Sequence, residues 1–231
     1  MWTAKKSNRS VGRKLVVRTN PQSITTEQYR TIRTNINFSM PGPDTQTILF
    51  TSAAKEEGKS TTSCNMAIVF AEAGKRVLLV DADMRRPTLH HTFQQANKVG
   101  LSNLLLKKGR LQDSVKRSGV VGLDLLLCGQ IPPNPAELLS SPALDSLIEE
   151  MKEKYDLIIF DSPPLLSVTD SKILANKCDA TVLVVNTGRS EKESVTKARD
   201  ALVTSKAFIM GVVMNNYEIS KDTYYYQAYG D

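Results

Sequence analysis

The chain has 231 residues, enough for one α/β domain with short tails, and its 41% hydrophobic content is enough for a real core. Its net charge of +6 lies wholly at the N-terminus: Lys5, Lys6, Arg9, Arg13, Lys14 and Arg18 are six cations with no acid among them, and the remaining 24 basic and 24 acidic residues balance. A body without a basic surplus argues against nucleic acid as partner, whereas a short basic arm suits an anionic lipid surface.

No stretch approaches the roughly 20 apolar residues of a membrane span. The N-terminus has cations without an apolar core, so no secretory signal is expected. Cys64, Cys128 and Cys178 have no metal-ligand spacing and read as reduced, buried thiols of a cytoplasmic protein. His90 and His91 are adjacent, which rules out a ligand pair one helical turn apart.

In chain order, residues 1–20 read as a basic flexible arm. Residues 21–40 hold a helix: in TTEQYRTIRTNINFSM, Tyr29, Ile32 and Ile36 share one face, with Thr25 or Thr26 as cap. PGPD at 41–44 ends it. TILFTS is then a buried strand, and GKSTTSCNMAIVFAEAG a helix stopped by Gly74. KRVLLVDAD and LDLLLCG are strands, and AELLSSPALDSLIEEMKEKY contains a helix. DLIIFDSPP, ATVLVVNTG and FIMGVVMNN are strands, with SEKESVTKARDALVTSK a helix between the last two. Short apolar runs joined by helices are βαβ units. They predict a P-loop NTPase-like α/β fold: a mostly parallel sheet with helices on both faces, binding ligands at the carboxyl ends of its strands. The domain spans 21–216, and 217–231 form a tail.

Three strand ends carry chemistry. In TILFTSAAKEEGKSTTS a strand runs through a loop into Gly-Lys-Ser at a helix start. This is the G-x-x-x-x-G-K-[ST] phosphate cradle with Ala53 in place of its first glycine. Glu57, Gly58, Lys59, Ser60 and Thr61 form its binding end. Backbone N–H groups and the helix N-terminus favour a polyanion. Lys59 reaches the β/γ-phosphates, and the Ser60 hydroxyl is a Mg²⁺ ligand. In VLLVDADMRRP, Asp81 and Asp83 lie two apart, so both carboxylates face one spot in extended backbone. In DLIIFDSPP, four apolar residues precede Asp161, a carboxylate aimed at the Mg²⁺ shell. Together they point to Mg²⁺ and ATP. Asp81 is the candidate base. Arg85 is a candidate for γ-phosphate charge, or else a surface ion-pair partner.

The nucleophile decides the function. Water would make the chain an ATPase switch, and a phenol would make it a tyrosine kinase. The chain lacks the H-R-D and D-F-G triplets of eukaryotic-type kinases. Its last eight residues, however, hold Tyr224, Tyr225, Tyr226 and Tyr229 of seven tyrosines in all. Three adjacent tyrosines do not alternate as a packed strand does. Beside an ATP site they read as phospho-acceptors.

GKSTTS, VLLVDADMR and LIIFDSPP are similar to the Walker A, A′ and B motifs of the bacterial tyrosine kinases (BY-kinases). IPPNPAELLSS and the terminal YYYQAYG also resemble that family. The likeness runs from about Ser23 to the C-terminus and is closest to the form whose kinase and transmembrane activator are separate chains. The resemblance implies that Lys59 and Ser60 bind phosphate and Mg²⁺, that Asp81 is the base for the incoming tyrosine, and that Asp83 and Asp161 serve the metal. Glu27, Arg30 and Arg33 match its E-x-x-R-x-x-R oligomerisation motif, on one helix flank. It further implies ATP-dependent autophosphorylation of the tail in trans within a homo-oligomeric ring. The setting is the inner face of the membrane, with a polysaccharide co-polymerase-type activator and a cognate tyrosine phosphatase, in control of capsule or exopolysaccharide export. Asn215 is placed at the adenine by the wider superfamily. Two departures stand out. Lys55-Glu56 replaces a frequent Pro-Gly, and position 54, the signature lysine of the partition and cell-division ATPases, is alanine. The second counts against a plain ATPase; an ATP-gated interaction module is the other alternative.

Overall fold

Among the described residues, seven strands form one sheet in the order β3-β4-β2-β5-β1-β6-β7. They are β1 (Thr47–Ser52), β2 (Val77–Asp81), β3 (Lys116–Val120), β4 (Leu123–Leu126), β5 (Leu157–Asp161), β6 (Ala180–Asn186) and β7 (Ile209–Asn215). The computed structural model describes residues 12–217. All pairings are parallel except β3 with β4. The central strands are buried along their whole length and apolar in their middles because both faces are covered, with polar residues at their ends. Ile48 and Phe50 of β1, Val77 and Leu79 of β2, and Leu157 and Ile159 of β5 face one core. The alternate residues Leu49, Leu78, Val80, Ile158 and Phe160 face the other.

The first core is closed by α1 (Val16–Thr19), α2 (Ile24–Ser39), α3 (Lys59–Glu72) and α4 (Leu89–Thr92). The second is closed by α5 (Leu101–Leu105), α6 (Leu111–Ser114), α7 (Pro135–Ser140), α8 (Pro142–Lys152), α9 (Asp170–Lys177) and α10 (Lys192–Thr204). The expected α/β architecture is therefore present. Among the described residues, no helix is long and apolar enough to cross a membrane.

Four local expectations are corrected. The flexible arm does not extend to residue 20, because Leu15, Val16 and Val17 are buried and α1 packs on α2 and α3. The cap of α2 is Ser23, not Thr25 or Thr26. Ser23 is extended and its hydroxyl accepts the Thr26 N–H at 3.2 Å, while the Thr26 hydroxyl donates to the Asn20 carbonyl at 2.8 Å. The helix expected in 136–155 is two, because Pro142 starts a new helix after the extended Ser141. The antiparallel edge strand β3, KRSGV, was not anticipated: it is polar, and Ser118 is its one buried residue. Gly74, at φ 87°, ends α3 as expected.

Candidate active site

Parallel β1, β2 and β5 bring Ser52, Asp81 and Asp161 to one edge of the sheet. After β1 the chain turns through 53–58 into α3. Gly58, at φ 95°, makes the last bend. A Cβ there would lie 1.9 Å from Asn215 Nδ2, so position 58 must be glycine on two counts. Ala53 needs no such freedom, since among the described loop residues only Glu56 and Gly58 have positive φ. Alanine is therefore accommodated at the place of the first glycine. Glu56, at φ 63°, adopts the left-handed conformation suited to the glycine of the usual Pro-Gly pair, and its carboxylate meets Arg189 at 2.7 Å.

The loop is held from within by Glu57, which is 2% exposed. One carboxylate oxygen accepts the Ala54 N–H at 2.8 Å and the other accepts the Ser190 hydroxyl. What Glu57 offers a ligand is therefore its backbone, not its side chain. Asn215, expected at an adenine, donates its amide N–H to the Glu57 carbonyl at 3.0 Å and so buttresses the loop.

Lys59 Nζ lies 3.0 Å from Ser60 Oγ, 3.5 Å from Asp83 Oδ2 and 3.7 Å from Asp161 Oδ1. Asp83 Oδ1 accepts the Arg86 N–H at 3.0 Å, which fixes the turn after β2. Asp81 Oδ2 accepts the N–H groups of Thr88 and Leu89 at 3.1 and 3.0 Å, while its Oδ1 and both oxygens of Asp161 are buried without a hydrogen-bond partner. Burial raises Asp81 to about 8, with the nearby Asp161 charge adding to the rise. Burial also raises Asp161, opposed chiefly by Lys59. Orphaned carboxylate oxygens facing an ammonium, beside a glycine bend at a helix N-terminus, fit a divalent cation and a polyphosphate. The expected Lys59, Ser60, Asp81, Asp83 and Asp161 are thus brought together, with Thr61 in the first turn of α3.

Arg85 is engaged elsewhere. Its Nε and Nη2 donate to the two oxygens of the fully buried Asp170 at 2.9 and 3.0 Å, tying the turn after β2 to α9. Of the proposed oligomerisation residues, Glu27 pairs with Arg30, and Arg33 Nη1 donates to the Val69 carbonyl at 2.9 Å. Both arginines thus have partners within the chain. Tyr224, Tyr225, Tyr226 and Tyr229 lie outside the described residues. Sequence reasoning missed Asp170 and Ser190, whose partners lie 85 and 133 residues away. It also missed the three hydroxyls that pin the turn after Asp161: Thr51 and Ser171 donate to the Pro163 carbonyl, and Ser162 donates to that of Phe50.

A family profile described as an AAA domain matches residues 46–198. Tyrosine-protein kinase YwqD of Bacillus subtilis (strain 168) is 48% identical over 213 residues, which are 92% of this chain and 90% of that protein. The crystal structure of the chimerical protein CapA2B2 superposes with a TM-score of 0.85 at 38% identity, over 90% of this chain and 93% of that one. The kinase domain of Escherichia coli tyrosine kinase ETK gives 0.86 at 30% identity, over 94% and 85%. With a nucleotide-binding P-loop fold, the Asp81–Asp83–Asp161 cluster and kinase relatives matched along nearly their whole length, the chain belongs to the family of bacterial tyrosine-protein kinases.

Proposed function

We propose that the chain uses Mg²⁺ and ATP to phosphorylate the tyrosines of its own C-terminal tail in trans, and through that reaction regulates capsular or exopolysaccharide synthesis and export. The observation that carries this reading is Asp81: a buried carboxylate with one oxygen held by two backbone N–H groups and the other without a partner, beside the cradle lysine. A carboxylate anchored on one side has its second oxygen available for a phenolic proton.

Ser60, Asp83 and Asp161 are the residues that would hold Mg²⁺, which when bound neutralises charge between the β- and γ-phosphates. Lys59 adds its positive charge at the same place, and the backbone of Glu57 to Thr61 cradles the phosphates. In its ionised form, which gains population as pH rises toward about 8, Asp81 takes the proton from the tyrosine hydroxyl on Oδ1. The phenolic oxygen bonds to the γ-phosphorus, the bond to the β,γ-bridging oxygen breaks, and ADP leaves. Arg85 holds the turn that carries Asp83 through Asp170, and stabilisation of γ-phosphate charge by Arg85 requires its release from that pair. Asn215, at the end of β7, holds the adenine and braces the loop through the Glu57 carbonyl.

Glu27, Arg30 and Arg33 on α2 join subunits into a ring, so that each tail reaches a neighbour's site. Each phosphotyrosine adds about −1.5 to −2 charges, and four acceptors crowded at one terminus then repel the subunits. The chain works in the cytoplasm at the inner face of the membrane, held there by a transmembrane polysaccharide co-polymerase-type activator, and a cognate tyrosine phosphatase resets it. The test is intact-mass and phosphopeptide analysis of phosphatase-stripped protein given Mg²⁺ and ATP, with and without the cytoplasmic segment of such an activator. Phosphate on Tyr224, Tyr225, Tyr226 or Tyr229 that disappears in Lys59→Met supports the reading. ATP binding without tail phosphate, activator present, overturns it.

A further inference from the structure

Asn65 lies in the interior of α3, fully buried, where the polar first half of the helix gives way to the apolar run from Met66 to Ala71. Asparagine is a poor helix former and a costly residue to bury unless satisfied. Here its side chain makes three hydrogen bonds. Its Nδ2 donates to the carbonyl of Thr61, in the first turn of α3, at 2.8 Å and to that of Lys14 at 2.9 Å. Its Oδ1 accepts the Val17 N–H at 3.1 Å. The segment that precedes α2 is therefore fastened to the helix that opens the phosphate cradle.

The same segment is fastened at its other end to the helix that holds Asp81. The Arg13 N–H donates to Thr92 Oγ1 at 3.1 Å, and the Thr92 hydroxyl donates to the Thr88 carbonyl at 3.2 Å. Thr88 and Leu89 are the residues whose N–H groups hold Asp81 Oδ2. Two short polar chains thus diverge from residues 13–17, one to the first turn of α3 and one to the catalytic carboxylate. Between them Leu15, Val16 and Val17 fill the core under α2 and α3. We propose that residues 12–19 are a strap that sets Asp81 relative to the cradle helix, with Asn65 and Thr92 as positioning residues for phosphoryl transfer. The proposal rests on the reading of Asp81 as base.

The strap is built to open at low cost. It contains one helical turn, α1, and its buried part is three aliphatic side chains. Short peripheral elements with few buried groups unfold locally well before the domain does. Opening would release α4 directly and would reach the cradle only indirectly, through Asn65 and the Thr61 carbonyl. Loss of the strap therefore lowers turnover more than ATP affinity.

The experiment uses the full chain with Thr92→Val, Thr92→Ser, Val17→Asp and Asp81→Asn. Amide hydrogen exchange at Thr88 and Leu89 is followed together with tail phosphorylation by intact mass at several ATP concentrations. Thr92→Val keeps the shape of the side chain and removes its hydroxyl. It is expected to lower kcat about tenfold at unchanged KM for ATP, the size of one well-placed hydrogen bond, and Thr92→Ser is expected to restore it. Val17→Asp is expected to speed exchange at Thr88 and Leu89 and to mask the effect of Thr92→Val in the double variant. Unchanged exchange in Val17→Asp, or full turnover in Thr92→Val while Asp81→Asn is inactive, overturns the strap and spares the base. Full activity in Asp81→Asn overturns the base reading instead. The exchange measurement, which needs no turnover, then decides whether the strap holds α4.

Discussion

Asp81, the last residue of β2, and Asp161, the last residue of β5, are register partners on adjacent parallel strands, and both are fully buried. Register partners in parallel strands point to the same face, so the two carboxylates emerge side by side toward α3, where Lys59 Nζ lies 3.7 Å from Asp161 Oδ1. Like charges in a buried site disfavour ionisation of both. A protein selected only for stability would not keep this pair, and the cost makes sense where a cation and a phosphate complete the site.

The first prediction follows from Asp81, whose pKa is raised from 3.8 to about 8. The folded form retains a proton that the unfolded chain has already lost, so stability falls as pH rises from about 4 to 8, by at most about 1.4 kcal/mol per pH unit from this one group. Asp81→Asn removes the titration and keeps an oxygen for the Thr88 and Leu89 N–H groups. It is expected to be inactive, yet more stable than the parent by a margin that grows with pH, up to about 5 kcal/mol near pH 7.5. Urea unfolding of the nucleotide-free proteins at pH 5 and pH 8 checks this. A gain that does not grow with pH would rule out burial as the cause.

Gly58→Ala is expected to abolish ATP binding measured by calorimetry. Trimming the obstruction with Asn215→Ala in the same chain removes the 1.9 Å clash but leaves the φ of 95°, so the double variant remains impaired. Recovery of full affinity in the double variant would mean that the clash alone matters.

Glu56 separates backbone strain from charge. Glu56→Gly and Glu56→Ala both remove the exposed pair with Arg189, but only glycine accepts φ 63° freely. The glycine variant is expected to be more stable than the alanine variant by about 1 kcal/mol. Thermal unfolding of the two proteins side by side gives the difference directly.

On α2, Glu27 and Arg33 are expected to respond differently. The Glu27 side chain is 64% exposed, so Glu27→Ala leaves the melting temperature of the monomer nearly unchanged while weakening self-association in light scattering. Arg33→Ala removes a hydrogen bond to the Val69 carbonyl and is expected to cost about 1 kcal/mol of stability as well. Equal effects of both variants on the monomer would count against a division between surface and structural roles.

The sequence by itself determined the sheet and the place of the site. Runs such as VLLVD and LIIFD are legible because a strand buried on both faces is apolar until the end that carries the site, and parallel connections deliver every such strand end to the same edge. Gly58-Lys59-Ser60 is legible because phosphate binding needs consecutive residues of one turn. The tertiary structure alone decided which neighbours hold those residues. Leu15–Val17 lie in a cationic stretch that reads as solvated until α2 and α3 cover it, and β3 is polar because an edge strand needs only one buried side chain. Glu57 is bound to Ser190, Arg85 to Asp170, and Gly58 is overlain by Asn215. These partners are remote in sequence, and their contacts depend on how the chain crosses the sheet. No local pattern of residues encodes a contact of that kind, because its energy exists only when the two surfaces meet.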